Sequence, residues 1–428
     1  METFFVFIGF ALLLQSAIAL GAAIRFARYT ILETSAIRRR HQPAAVLIIP
    51  CRGVDEEFQE NIKAFFAQDY RNYEIVFVTE SYSDPAYPVI EKIIRENERS
   101  AWLVVAGEAA DCGQKIQNLC AALETIDSVN RRAEVFVFAD ADSCPSANWL
   151  EELVSPLADE NIGATTGFRW YLPESHPFSF NALLLSAWNA SALGVMGGTS
   201  AMAWGGATAI RREYFNQLNI REKWQGSVSD DYRLTSAIQR AGQRIKFVPA
   251  GLMSSPGNFS LARILEFTTR QMIVTRIYAP RLWWMTLVMQ SLFNFAFWGG
   301  IITFLAGLFS QKFSFTLLLI LSGIFLLGAV SGTLRAVVAA QLLEDNRSRV
   351  LNHWWGYAFL SPLVSLIYLW NLLNSAFTRK IEWRGIGYEL ISPEETRILY
   401  RPVTGKIEHL SPEKSQQSNK APARSALP

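Results

Sequence analysis

The chain has 428 residues, half of them hydrophobic, with 28 Phe and 13 Trp, which is rich in apolar residues for a soluble enzyme. A formal charge of +2 supplies no basic field and no nucleic-acid motif is present, so nucleic acid is excluded as a partner. Four stretches, 4–24, 282–309, 313–334 and 354–377, are almost free of charge, and each is long enough to cross a hydrocarbon core of about 30 Å as a helix.

The first stretch has no positive charge before it and is followed by Arg25, Arg28, Arg38, Arg39 and Arg40. That asymmetry favours an uncleaved anchor running from outside to inside, although "ALGAA" offers small residues for a signal-peptide cleavage site. Residues 1–28 are therefore expected as a transmembrane anchor and 29–280 as a cytoplasmic domain.

From 44 to about 250, short apolar runs alternate with longer amphipathic ones. "AAVLIIP", "YEIVFVTE", "AWLVVAG", "EVFVFAD", "IGATTGF" and "RIKFVPA" have strand length, several with apolar residues at successive positions. Residues 56–68 and 115–127 have the spacing of helices, the second with Ile116, Leu119, Cys120 and Leu123 at intervals of three and four. Strand, helix and strand in series predict an α/β domain with a mostly parallel, Rossmann-like sheet. Such sheets bind ligands outside the carboxyl ends of their strands. Glu80 and Asp84 follow one such end, and Asp140 and Asp142 another. Cys51, Cys112, Cys120 and Cys144 have spacings that fit neither a disulfide framework nor a zinc site, which agrees with a reducing location.

Two carboxylates at the end of a buried strand each bear a desolvation cost unless a cation lies beside them. Asp140-x-Asp142 could supply hard oxygen ligands to Mg²⁺ or Mn²⁺, which in turn bridges phosphates. An isolated Asp-x-Asp is more often a solvated turn. Asp230 and Asp231, in "SVSDDYRLTSAIQRAG", precede an amphipathic segment as cap residues would. Capping accounts for one acid, and the other could serve as a general base.

Taken together, "PCRGVDEEFQENIKAFFAQDYRNYEIVFV", "ESYSDPA", "GQKIQNL", "DAD", "GGATAIRR", "SDDYRLTSAI" and "IEWRGIGYEL", from about residue 46 to 390, resemble a membrane-anchored, inverting family-two glycosyltransferase of the GT-A fold, ceramide glucosyltransferase-like. The resemblance implies a nucleotide-sugar site of Glu80, Asp84, Lys115, Asn118 and Asp140, with a metal at Asp140 and Asp142 and Asp231 as catalytic base. Asp230 stands where the family commonly has Glu. The family's Arg-Trp motif is altered: in "EFTTRQMIVTRIYAPRLWW", either Arg270 with Gln271 or Arg276 fills its place beside acceptor and diphosphate, and membrane-flanking arginines are the ordinary alternative. The stretch "MGGTSAMAWGGATAIRREYF" reads as a loop whose glycines allow close approach to donor sugar and acceptor.

The leading expectation is transfer of a sugar, glucose first, from a UDP-sugar to a membrane lipid such as ceramide or diacylglycerol, assisted by Mg²⁺ or Mn²⁺. A polysaccharide synthase of the cellulose or hyaluronan type is the alternative, and a transporter or nucleotide-sugar sensor the alternative from another class. Residues 281–378 form a membrane region of about three hydrophobic segments, 379–402 an interfacial segment and 403–428 a disordered tail. Four full spans would put Arg379, Lys380 and Arg384 outside, against the positive-inside tendency. One segment is therefore expected not to cross, broken at Pro362 or at Gly299 and Gly300.

Overall fold

The structure, a computed structural model, describes residues 2–36, 40–129, 133–173, 179–196, 201–312, 314–403 and 406–409. Arg38 and Arg39, part of the glycine-rich stretch and the tail beyond 409 lie outside the described residues.

Strands β1 (Ala45–Pro50), β2 (Tyr73–Thr79), β3 (Ala101–Val105), β4 (Val135–Ala139), β5 (Ile162–Leu172), β6 (Ala207–Arg211) and β7 (Arg244–Pro256) form a seven-stranded sheet in the order β3-β2-β1-β4-β6-β5-β7. β1 pairs in parallel with both β2 and β4, β2 with β3, and β5 with β7; only β6 runs antiparallel to its neighbours. This is the mostly parallel α/β sheet expected. Along β1, Val46 and Ile48 enter one core while Ala45, Leu47 and Ile49 enter the other. A strand covered on both faces needs apolar residues at every position, which explains the continuous runs.

On one face lies α4 (Gln114–Ser128), with Ile116, Leu119 and Leu123 buried; on the other lie α2 (Phe58–Phe66), α3 (Ala86–Arg95) and α5 (Trp149–Val154). After β5 come α6 (Phe180–Ser191) and α7 (Leu193–Met196), and after β6 come α8 (Arg212–Gln217), α9 (Ile220–Trp224) and α10 (Asp230–Arg240). β6 corrects the expectation of a loop through "GGATAIRR". Its small side chains carry no strand periodicity, yet Ala207 to Ile210 are all buried between β4 and β5.

Helix α1 (Glu2–Ser35) is about 51 Å long, well beyond the hydrocarbon thickness. The helix therefore runs on past residue 28. Its last turns seat on the sheet, where Phe26 is buried, the Tyr29 hydroxyl donates to the Phe247 carbonyl at 2.6 Å and Glu33 pairs with Lys246 at 3.0 Å. After α11 (Leu261–Tyr278) come α12 (Pro280–Phe309) and α13 (Phe315–Leu342), which with α1 are the helices long and apolar enough to cross a membrane among the described residues. Gly299 and Gly300 do not break α12; they admit Phe5 and Leu321 against its backbone. The break falls at Pro362. Following α14 (Arg347–Leu351), residues 354–377 divide into α15 (Trp354–Phe359) and α16 (Ser361–Phe377), with Pro362 in the first turn of α16, where its missing N–H leaves no bond unmade. At 17 residues α16 is about 26 Å long, short for a span.

Residues 380–409 build a second, antiparallel sheet of β8 (Lys380–Trp383), β9 (Ile386–Ser392), β10 (Glu395–Val403) and β11 (Lys406–His409). Arg384 (φ 51°) and Gly385 (φ 79°) form the two-residue turn between β8 and β9, both left-handed as a tight hairpin demands. The stretch 379–402, expected as an interfacial segment, folds into this hairpin sheet, and the tail expected to be disordered from 403 contributes an edge strand before the described residues end.

Candidate active site

The carboxyl end of β4 opens on a cavity of about 1270 Å³ lined by Lys115, Asp140, Asp142, Asp230, Asp231, Arg270 and Gln271. A smaller cavity of about 100 Å³ adjoins it, sharing Lys115, Asp140 and Asp142 and adding Arg52, Asn118 and Tyr388. Sequence-distant acids and cations are therefore collected at one strand end.

Lys115 enters from the first turn of α4 and bridges Asp140 at 2.8 Å and Asp230 at 3.3 Å, while donating to the Gly205 carbonyl at 3.2 Å. Burial acts to lower its pKa, but the two carboxylates outweigh this and hold the ammonium above the ordinary lysine range. Asp230 is pushed up to about 6 by burial, against Lys115 and reinforced by the charges of Asp231 and Asp140. Gly205 has no room for a side chain, since a Cβ there would meet the Asp230 carboxylate and stand 2.8 Å from Lys115 Nζ. The glycine-rich stretch thus brings its backbone against the ion cluster, whereas the approach expected of it was to donor sugar and acceptor.

Asp231 follows at the start of α10. Ser229 caps this helix, its hydroxyl accepting from the Tyr232 N–H at 3.2 Å. Asp231 Oδ1 accepts from the Ser229 hydroxyl and from the Tyr232 N–H at 2.7 Å; its Oδ2 has no hydrogen-bond partner among the described residues. The helix is thus capped by neither aspartate. One oxygen of Asp231 is fixed and the other is free to receive a proton from a group in the cavity.

Arg169, on β5, reaches both members of the Asp-x-Asp pair. Its Nη2 lies 3.1 Å from Asp140 Oδ2 and 2.5 Å from Asp142 Oδ1, and Nη1 lies 3.1 Å from Asp142 Oδ2. The guanidinium also stands over the rings of Trp204 and Tyr171, at 5.1 and 5.6 Å. Arg384, in the β8–β9 turn, lies 3.7 Å from Asp142 and forms a bidentate pair with Asp55 at 2.9 and 2.7 Å. Burial acts to raise the Asp142 pKa, and Arg169 with Arg384 more than offset it, holding the carboxyl below the usual range. Two hard carboxylates facing one cavity fit Mg²⁺ or Mn²⁺ as a partial ligand set. No group of three or more His, Cys, Asp or Glu side chains suited to a metal occurs among the described residues, so donor phosphates or water would complete it.

The remaining expected residues make no ion pair with this cluster, although Arg270 and Gln271 line the same cavity and Asn118 the adjoining one. Asp84 Oδ1 accepts from the N–H groups of Gly53 at 2.9 Å and Ala86 at 2.8 Å, fixing the loop after β1 to the start of α3. Glu80 is paired with Arg52 and, at 2.9 Å, with Arg401 of β10. Asn118 is buried, accepting from Gln114 at 2.9 Å and donating to the Val78 carbonyl at 3.4 Å. Arg270 donates to the Glu382 carbonyl at 2.8 Å and stacks on Phe267 and Trp383. Arg276 lies outside the large cavity, donating to the carbonyls of Ala376 and, at 3.1 Å, Thr378 at the end of α16. Of the two alternatives for the Arg-Trp position, the structure brings Arg270 with Gln271 to the site. Sequence reasoning missed Arg52, Arg169 and Arg401; Arg384 was within reach, inside "IEWRGIGYEL".

Comparison with known proteins adds a family to this geometry. Two ceramide glucosyltransferases of Caenorhabditis elegans are similar over part of the chain: number 3 is 31% identical over 119 residues, covering 28% of this chain and 25% of that protein, and number 1 is 27% identical over 81 residues, covering 19% and 17%. The matched stretches thus span a quarter or less of those relatives. Among solved structures, the mannosyltransferase PcManGT from Pyrobaculum calidifontis, in complex with GDP-Man and Mn²⁺, aligns at TM-score 0.45 and 16% identity, over 87% of this chain and 99% of its own. GalNAc-T7 with UDP, GalNAc and Mn²⁺ aligns at TM-score 0.37 and 13% identity, over 56% and 54%. The model of glycosyl transferase family 21 matches residues 13–396, nearly the whole chain including the membrane helices and the hairpin of Arg384, and the chain belongs to that family of glycosyltransferases.

Proposed function

We propose that the chain moves a sugar from a nucleoside-diphosphate donor, UDP-glucose in the leading reading, to the hydroxyl of a membrane lipid such as ceramide or diacylglycerol, by a single inverting displacement at the cytoplasmic face. The observation that carries this reading is the continuity of the cavity: it runs from Asp140, Asp142 and Asp231 to residues of α1, α12, α13 and α16, so a lipid held by apolar walls can present its head group to the acids.

In this reading Asp231 accepts the proton of the acceptor hydroxyl through the oxygen that has no partner, while Ser229 and the Tyr232 N–H hold the carboxylate in place. Lys115, Arg169 and Arg384 surround the place where the leaving diphosphate develops charge, and Arg270 closes the acceptor side. Asp140 and Asp142 would hold Mg²⁺ or Mn²⁺, which supplies Lewis-acid neutralisation of the leaving group. Arg169 now spans both carboxylates, so it must share or exchange them with such an ion. The similarity to ceramide glucosyltransferases supports a lipid acceptor over a growing polysaccharide.

The test is transfer from radiolabelled UDP-sugars into organic-extractable lipid by membranes carrying the chain, with Asp231→Asn alongside and divalent ions added or chelated. Label in lipid, dependent on the ion and reduced about 10²- to 10⁴-fold in the variant, is the expected result. Label in insoluble polymer alone would replace this reading by the polysaccharide synthase.

A further inference from the structure

A pocket of about 410 Å³, separate from the two at the active site, lies where α16 runs into β8, lined by Arg276, Phe377, Thr378, Arg379, Lys380 and Glu389. Helix α16 is pinned around it. Asn371 Oδ1 accepts from the hydroxyls of Thr268 and Thr269 of α11 at 3.1 and 3.0 Å, and Trp283 of α12 donates to the Ser375 hydroxyl at 2.9 Å. Arg276 of α11 closes the end of α16, donating to the carbonyls of Ala376 and, at 3.1 Å, Thr378. The walls of the pocket therefore belong to elements that are fixed against one another.

Three cations and one acid line this pocket. Glu389 is already engaged by Arg397 at 3.4 Å, while Arg379 and Lys380, both exposed, form no ion pair among the described residues. Burial first, and then the charge of Arg379, hold the Arg276 guanidinium below the ordinary arginine range, so two like charges face each other across a short gap. Such a gathering costs free energy unless an anion joins it. Beside the pocket, one face of α16 carries Leu363, Leu366, Trp370, Leu373 and Phe377 at intervals of three and four residues, all exposed, and Phe377, 89% exposed, also lines the pocket. An apolar stripe thus runs into a cluster of cations where the apolar helix meets the hairpin sheet. That is the level at which a bilayer changes from acyl chains to phosphates.

We infer that this pocket binds the phosphate of an anionic phospholipid of the surrounding bilayer, a lipid that is neither donor nor acceptor. Its acyl chains lie along the α16 stripe. Arg379 and Lys380 hold the phosphate by charge-assisted hydrogen bonds, and Arg276 adds its charge behind them. Cations flanking a membrane helix attract anionic lipid in general, whereas a pocket with fixed walls gives one head group a defined place. The bound lipid clamps Thr378 to Lys380, the link between α16 and the hairpin whose turn carries Arg384 to Asp55 and Asp142. The inference is independent of which lipid accepts the sugar.

The test needs neither donor nor turnover. The full chain in phosphatidylcholine nanodiscs receives a small fraction of phosphatidylglycerol or of phosphatidylcholine, each bearing the same photoreactive acyl chain, and crosslinked peptides are identified. The expected result is labelling between Trp370 and Phe377 by phosphatidylglycerol about tenfold above phosphatidylcholine. The double variant Arg379→Gln with Lys380→Gln should bring the two probes level and Arg379→Lys should keep the preference, with unchanged melting temperatures, and excess inorganic phosphate should leave the labelling intact. Equal labelling by the two probes on the unaltered chain, or a preference that the double variant retains, overturns the site. So does an equal preference on α1 beside Arg25 and Arg28, which would mean a general attraction of lipid to the basic rim. Loss of the label to inorganic phosphate would overturn the lipid as the ligand and make it a soluble phosphate. Should the double variant fail to fold, the ratio of the two probes on the unaltered chain, at α16 against α1, decides.

Discussion

At the scale of single residues, the site is a set of carboxylates whose behaviour is fixed by which cation each one meets. Asp142 is held ionised by two guanidiniums, whereas Asp230, buried beside two further acids, has only Lys115. Its folded pKa of about 6 lies above the ordinary 3.8, so between those values the folded chain binds more protons than the unfolded one. The contribution of this group to stability must then fall as pH rises from about 4 to about 6. Unfolding in detergent at a series of pH values should show that decline, and Asp230→Asn should flatten it. An equal slope in the variant would assign the titration elsewhere. Position after a strand drew attention to Asp140 and Asp142, and position before a helix to Asp230 and Asp231, but Lys115 and the separate roles of the acids came only with the family resemblance. Arg169 was not legible: it sits within "GFRWYL", indistinguishable from a strand residue at the surface, and its meaning comes from Asp140, which lies 29 positions away.

Among elements, the unexpected part is the C-terminal sheet. β8 to β10 pack against the loops at the strand ends of the catalytic domain: Arg384 reaches Asp55 and Asp142, the Tyr388 hydroxyl accepts from the Gln114 N–H at 3.2 Å, and Arg401 binds Glu80, Gln114 and the Ala109 carbonyl. Arg401 and Glu80 have side chains only 10% and 11% exposed, so removing the cation strands a buried carboxylate. Arg401→Ala should cost about 3 kcal/mol, the low end for a broken buried pair because Arg52 still attends Glu80. Denaturation of the single and double variants with Glu80→Gln would show strong non-additivity, and additive losses would mean that the pair is not coupled. Strands with continuous apolar runs were legible, since only burial on both faces demands them. β6 and the hairpin sheet were not, because alanines without periodicity and a polar alternating tail look alike in loops and in edge or covered strands.

For the whole molecule, the length of α16 decides the topology. Were 354–377 a fourth span, the chain after α16 would emerge on the far side from the catalytic domain, yet Arg384 and Arg401 form ion pairs with Asp55 and Glu80 of that domain. With α1, α12 and α13 as the spans and the break before Pro362, the chain returns to the side it left, and Arg347, Arg349, Arg379 and Lys380 join Arg25 and Arg28 there. We propose, from the positive-inside tendency, that this side is the cytoplasm. A reporter active only in the cytoplasm, fused after Pro428, should be active, and a cysteine placed at Ser310, between α12 and α13, should react with an impermeant thiol reagent from outside. An inactive fusion with Ser310 still reached from outside would place the tail opposite the catalytic domain and overturn the docked hairpin sheet, whereas an inactive fusion with Ser310 protected would mean that the whole chain is inverted.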